Sequence, residues 1–491
     1  MISLPTLCRL SPLSCRYKLL LRRLFSDVAS TSRQSLYDIV IAGGGMVGNA
    51  MAVALANAPE FEGKQILLLE AGRPPELSLY SNQDPSLEYS NRVSAISPGT
   101  VEFFKRLGVW SDMEQFRVKP VRQMRVWDSC SASMIEFSHS NADSNSFLPM
   151  AYIIENSVII SALYRRLVQQ SDQGSRRVEM RFQTKPVKIR LPKLSELNRL
   201  VELELSSGDV VKTKLLIGSD GAGSFVRSVM SPEPEHYLKI DYEQKGIVAT
   251  LQLLPAETEE NHIAWQRFMP SGPIALLPLS SSLSSLVWTT STKEADELMS
   301  LSDEHFVDRL NGMLWTEEYQ NPLINQMLSG WTQALTALFG TATEISSSSV
   351  PFQLPPTVLS VRPGSRAAFP FALGHARRYA DQRVALIGDA AHRVHPLGGQ
   401  GVNLGFRDVQ SLLALLKDAV KTGRDIGSLS HLLRYESERQ RGSLPIMFGL
   451  HGLNQLYSNN WTPLVALRSL GLNTVNSVPF IKNLFVKEAI A

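Results

Sequence analysis

The sequence predicts an α/β fold: a doubly wound parallel-sheet unit interleaved with an antiparallel-sheet unit, then a C-terminal helical segment. Three observations predict it. Two compact apolar runs, Tyr37 to Ala42 and Val384 to Ile387, each break at glycines and pass into a helical pattern, as buried parallel strands do. Between them lie alternating runs such as Gln123 to Trp127, Ile247 to Leu253 and Leu286 to Thr290, the pattern of half-buried strands. The chain has 491 residues, 44% hydrophobic and 19% charged, enough for a large core in two interleaved domains.

The first 26 residues carry Arg9, Arg16, Lys18, Arg22 and Arg23 and no acid. Leu10, Leu13, Tyr17, Leu20, Leu21 and Leu24 share one helical arc, so the segment is basic and amphipathic like a mitochondrial presequence. Arg23-Leu24-Phe25-Ser26 resembles a matrix-protease site cut after Phe25. Residues 1–35 are therefore assigned to presequence and linker. Without the presequence the chain is slightly acidic, which leaves no nucleic-acid footprint. Cys8 and Cys15 leave with it, and Cys130 alone permits no intrachain disulfide. No CxxC or HExxH pattern supports a metal, and no run of 18 apolar residues predicts a transmembrane helix.

Gly43, Gly45 and Gly48 form a GxGxxG turn after the first strand. The first glycine permits the tight turn, the second admits a pyrophosphate, and the third packs helix on strand. Ala50, Ala52, Ala54 and Ala56 suit close packing of the helix. A second strand, Gln65 to Leu69, ends in Glu70, placed to accept ribose hydroxyls. Together these predict adenine-dinucleotide binding without distinguishing FAD from NAD.

Three later pieces of chain could converge on one extended ligand. Arg92 lies in Asn91-Arg92-Val93-Ser94, before a helix opening near Pro98. Asp220 and Gly221 end a strand from Lys212 to Ser219, before a helix holding Arg227. Gly388 and Asp389 end the strand from Val384, followed by a loop with Pro396, Gly398, Gly399 and Gly401 and a helix with Leu404, Leu412 and Leu416. Asp389 can accept from sugar-alcohol hydroxyls. Free N–H groups near Gly401, Val402 and Asn403 present the positive end of a helix, which favours a ring that becomes anionic on reduction. Asn156 begins another helical pattern and is expected to act as its N-cap.

The string HPLGGQGVNLGFRD, from His395 to Asp408, resembles the signature of the ubiquinone-biosynthesis hydroxylases, FAD-dependent aromatic monooxygenases related to the para-hydroxybenzoate hydroxylase group. The resemblance spans Tyr37 to about Arg441, with three motifs in the expected order. It implies a Rossmann-like FAD-binding domain (36–120, 155–232 and 366–442), a substrate domain (121–154 and 233–365) and a C-terminal apolar helical segment (443–491). It implies that Arg92 reaches the cofactor and that Asp220 sits near the pyrophosphate. An aspartate beside a diphosphate needs an intervening donor, so Asp220 equally suits ordering its own loop.

The activity implied is hydroxylation, at ring C5, of a 4-hydroxy-3-polyprenylbenzoate through a flavin C4a-hydroperoxide. That chemistry is borne by the cofactor and requires no protein nucleophile. His392 and His395 are the weak candidates for acid–base work. Trp265, Phe268, Pro278 and Trp288 lie on runs expected to face the ring, although core packing suits each of them. The family further implies O2 and a polyprenylated phenol as substrates, ferredoxin and ferredoxin reductase as electron source, and other ubiquinone-biosynthesis proteins as partners. Its place is the matrix side of the mitochondrial inner membrane, held peripherally. From Leu444 to Ile481 the one formal charge is Arg468, so this tail either closes the catalytic domain or meets lipid or a subunit. A flavin reductase of a prenylated substrate, or a non-enzymatic prenyl-binding protein, would share parts of the pattern.

Overall fold

A computed structural model describes residues 35–77, 88–141, 144–172, 178–193, 195–196, 199–254, 260–339, 355–478, 480, 482 and 486. The presequence lies outside these. The elements that build the site are, in chain order, β1 (Ser35–Ala42), α1 (Met46–Asn57), β2 (Ile66–Leu69), β3 (Val93–Ile96), β4 (Val210–Gly218), β5 (Tyr237–Leu253), β6 (Leu283–Ser291), β7 (Ala367–Ala376), β8 (Val384–Leu386), α2 (Gly401–Lys421), α3 (Leu429–Tyr457) and α4 (Thr462–Ser477).

Strands β2, β1, β4 and β8 lie side by side and parallel in an eight-stranded sheet. Ala42 pairs with Leu69 and Gly218, and Gly218 pairs with Leu386. All four strands thus end at one edge of the sheet. Their residues are buried on both faces, which explains the uninterrupted apolar runs. The alanines of α1 are buried, and helix Asn156–Asp172 packs against it.

The second sheet has ten strands, with β5 at its middle between β6 and β7. It is antiparallel as expected, except that Ile263–Phe268 runs parallel to Gln123–Asp128. Two boundaries differ from expectation. β7 pairs with β5 along most of its length, so the second sheet extends beyond residue 365. His392–Arg393 joins it too, pairing with β7. Both follow from the length of β5: its 17 residues outrun β6, and its free N-terminal half needs a partner for its backbone groups.

The C-terminal segment does not begin at residue 443. α3 runs unbroken from Leu429 through Pro445 to Tyr457, because its early turns already bury His431, Leu432, Tyr435 and Arg439. Arg468, the lone charge of the tail, is buried and forks onto Asp128, with Nε at 2.7 Å and Nη2 at 3.0 Å. This pair locks α4 onto the second sheet. Among the described residues no helix is long and apolar enough to cross a membrane.

Candidate active site

Three glycine turns meet at the edge where β1, β4 and β8 end. Ser219 Oγ donates to the carbonyls of Ala42 (3.0 Å) and Gly43 (2.8 Å), tying the second turn to the first. Arg227 donates to Ala222 O (2.6 Å) and Ala390 O (2.9 Å), tying the second to the third. Its guanidinium also lies 3.9 Å from the centroid of the Tyr237 ring.

The glycines do two kinds of work. Gly43 has φ +107°, and a Cβ there would strike the backbone of Ser219 and Asp220; a Cβ on Gly48 would strike the Gly43 carbonyl. These two are demanded by packing. At Gly45 and Gly221, by contrast, a Cβ would meet nothing within 4 Å, although Gly221, with φ +79°, still requires a left-handed backbone. Both border open space at the sheet edge, and the N-terminus of α1 opens beside Gly45 without an acidic residue in its first turn. Such a cradle suits an anion held by backbone N–H groups.

Glu70 stands at the end of β2, where Oε2 accepts from Gly44 N and Oε1 from Gly72 N, each at 2.6 Å. Its remaining lone pairs can still take hydroxyls. Asp220 turns inward to its own helix, with Oδ2 accepting from Phe225 N (2.7 Å) and Val226 N (3.1 Å) and Oδ1 from Ser224 Oγ. Its role is to order the loop. Arg92 is exposed and makes no ion pair among the described residues. Asn156 is not an N-cap: it is the first residue of its helix and its Oδ1 accepts from Ser94 Oγ at 2.7 Å.

The third turn hangs on a buried network absent from the sequence expectations. Gly388 has φ +62°, and its N–H donates to Asp408 Oδ2 at 2.9 Å. The same oxygen pairs with His392 Nε2 at 2.7 Å, and Oδ1 accepts from Arg439 Nε at 2.7 Å. Burial alone would raise the Asp408 carboxyl, but His392 and Arg439 more than offset it and hold the carboxyl below its usual range. Asp408 therefore stays ionised and joins β8, α2 and α3. Asp389 is open to water at its tip yet crowded by protein elsewhere. That burial pushes its carboxyl up, against His392 and Arg393.

From His395 the chain makes one 3₁₀ turn over Pro396–Gly398, then a left-handed Gly399 with φ +61°, and enters α2 at Gly401. Val402 follows, partly buried. Asn403, expected at the cofactor, has its amide consumed by protein. Its Oδ1 accepts from Ser97 N (3.0 Å) and Thr100 Oγ1 (2.9 Å), and Nδ2 donates to Ala95 O (2.8 Å) and Gly399 O (3.2 Å). It clamps the ring loop to β3.

Both histidine candidates are structural by geometry. His392 orients Asp408. His395 is buried, its Nδ1 accepts from Leu397 N at 3.3 Å, and its ring meets Tyr242 edge-on (centroids 5.0 Å) and Phe371 (5.2 Å). Burial, helped by His451, pushes His395 down to about 4 from its ordinary 6.5, so it is neutral at pH 7. The unfolded chain binds this proton more readily. The stabilisation is thus complete above about 6.5 and is lost as pH falls through about 4. Urea unfolding between pH 4 and 7 should show this acid-side loss, and His395→Gln should flatten it.

The four ring-lining candidates face elsewhere. Trp265 and Trp288 point to the helices over residues 292–315 with Ile247, Leu251 and Leu286, and Pro278 alternates to that side with Leu276. Phe268 stacks on Tyr457 with centroids 3.9 Å apart. Alternation gives the opposite face to Gly246, Val248 and Thr250 on β5 and to Ser285 and Val287 on β6. The Phe371 ring covers Gly246 on that face and meets His395 of the ring loop.

A family model described as an FAD binding domain matches residues 350–444. The ubiquinone biosynthesis monooxygenase COQ6, mitochondrial, of Danio rerio is 44% identical over 457 residues, covering 92% of this chain and 90% of that protein. Its Homo sapiens counterpart is 43% identical, covering 92% of each. The chain belongs to the ubiquinone biosynthesis monooxygenases. Solved structures share the fold: PqsL of P. aeruginosa (TM-score 0.62, 20% identity, 89% of this chain and 99% of that one) and p-nitrophenol 4-monooxygenase PnpA of Pseudomonas putida DLL-E4 (TM-score 0.64, 16%, 93% and 99%). Like its family, the chain is an FAD-dependent monooxygenase of ubiquinone biosynthesis, and it is mitochondrial.

Proposed function

We propose that the chain hydroxylates ring C5 of a 4-hydroxy-3-polyprenylbenzoate-type intermediate, on the matrix side of the inner membrane. The observation that carries this reading is that three glycine turns are tied together at one sheet edge, beside open space at Gly45 and Gly221. FAD, when bound, supplies the redox chemistry that activates O2.

The residues fit that cofactor in this order. Gly45 receives the diphosphate at the start of α1, in the turn that Gly43 and Gly48 shape by packing, and Glu70 takes the adenosine ribose. Gly221 keeps the second turn clear of it, with Asp220 holding that turn in shape. Gly388 and Asp389 meet the ribityl hydroxyls. Pro396, Gly398, Gly401 and Val402 lie along the ring, with Asn403 holding the loop and Arg92 approaching from β3. The protein orients both rings and excludes water; His395, neutral and wedged between Tyr242 and Phe371, shapes the loop.

Peripheral membrane contact is supported by helix Pro322–Phe339, which has no charged residue, and α4, whose one charge is buried. Leu323, Trp331, Trp461 and Leu467 on and beside them are exposed. Electron delivery through ferredoxin and its reductase, and assembly with other ubiquinone-biosynthesis proteins, rest on the family resemblance alone.

The test is product analysis in a quinone-deficient strain lacking this activity, grown under labelled O2 with and without the chain. One labelled oxygen at C5 is the expected result. A product reduced but unlabelled would favour a flavin reductase.

A further inference from the structure

Beside β3, away from the glycine turns, a cavity of about 500 Å³ opens between residues 88–91 and the turn at 362–365, with Thr250 and Leu283 in its wall. Its lining is mostly polar: Glu88, Ser90, Asn91, Thr250, Arg362 and Ser365. The walls are firmly held. Asn91 Nδ2 donates to Ser365 O at 2.5 Å, Arg362 N donates to Thr250 O at 2.8 Å, and Thr250 N donates to Ser365 Oγ at 3.1 Å. The Arg362 side chain makes neither an ion pair nor a hydrogen bond among the described residues.

Two further details point to a ligand. Thr250 and Ser285 are paired across β5 and β6, both are buried, and neither hydroxyl has a partner among the described residues. Thr250 lines the cavity, and an unpaired hydroxyl in a polar wall is costly unless something supplies the missing bond. The cavity is also in line with the ring site. Asn91 lines it, and four residues along the extended chain Ala95 receives the Asn403 amide and lies beside Gly399.

We propose that this cavity holds the carboxylate of the aromatic substrate, with Arg362 as its counter-charge and the second amide hydrogen of Asn91 as an added donor. The proposal rests on the aromatic-acid reading above and specifies which end of the ring points away from the flavin loop. Arg362 is suited to this because a guanidinium pairs with a carboxylate through two parallel hydrogen bonds. Glu88 is the single acid in the lining, and its charge opposes the same anion.

The test uses the full FAD-loaded chain and two probes, 3-prenyl-4-hydroxybenzoate and 2-prenylphenol, which lacks the carboxylate. Binding is followed by the change in the flavin visible spectrum. Arg362→Gln is expected to weaken the benzoate about tenfold or more and to leave the phenol within about twofold. Glu88→Gln is expected to tighten the benzoate alone. These opposite signs separate a charge effect from a structural one, and neither side chain holds the fold together. Equal changes for both probes, or no change in either variant, would overturn the proposal while leaving the aromatic-substrate reading intact. A flavin spectrum indifferent to both probes would overturn that reading and the proposal with it.

Discussion

Gly45→Asp is expected to give a folded protein without its yellow colour. A side chain at Gly45 meets no protein atom within 4 Å, so the substitution has no steric reason to disturb the core. What it changes is the charge at the mouth of α1, where a diphosphate must approach backbone N–H groups. Two like charges about 4 Å apart at intermediate dielectric repel by about 4 kcal/mol, roughly a thousandfold in affinity. Purified variant should show flavin absorbance near zero and no hydroxylation, with a melting temperature close to that of the flavin-free parent. Gly48→Ala is the contrast. Its Cβ must displace the Gly43 carbonyl, so flavin and stability should fall together.

Asp408→Ala should be the most destabilising single change in the site. It leaves Arg439 without its carboxylate in the interior, and frees His392 and the Gly388 N–H of their shared acceptor. Breaking one side of a buried ion pair typically costs about 3–5 kcal/mol, much of it the desolvation of the charge left behind. A domain is stable by only about 5–15 kcal/mol, so little folded protein should survive at 37 °C. Urea unfolding of the purified chains measures the loss. The double variant Asp408→Leu/Arg439→Met, which removes both charges, should recover part of it. If the double variant were no more stable than the single, the unpaired charge would not be the cause.

The local chemistry of the site was legible because it is written in backbone requirements. Gly43, Gly48 and Gly388 stand where a Cβ would collide or where φ is positive, and such positions announce themselves by residue type. Glu70 lies at a strand end in the same unit. The convergence of the three turns was foreseen only through the order of motifs. The register that sets Ala42 beside Gly218 and Gly218 beside Leu386 is long-range and leaves no local mark.

What was missed shares that cause. Trp265 and Trp288 stand on strands as expected and pack in the core, since alternation gives two faces without saying which one is packed by helices. Asn403 sits in the ring loop as expected, yet its amide is used by Ala95, Ser97, Thr100 and Gly399, partners spread over more than 300 positions of chain. His392 was singled out as an imidazole beside a glycine turn; its true partner, Asp408, looked like one more polar residue of an amphipathic helix. Arg468 did carry a signal. A lone charge in an uncharged tail that packs on the protein needs an internal partner, and Asp128 is that partner.

The claim that most of this depends on is that one FAD lies across all three turns. Bound flavin per chain, read from the visible absorbance of purified full-length protein, tests it with one variant in each turn: Gly45→Asp, Gly221→Val and Gly388→Trp. The account predicts close to one flavin per chain in the parent and a large loss in every variant. Full flavin in the Gly221 and Gly388 variants, with loss confined to Gly45, would contradict it.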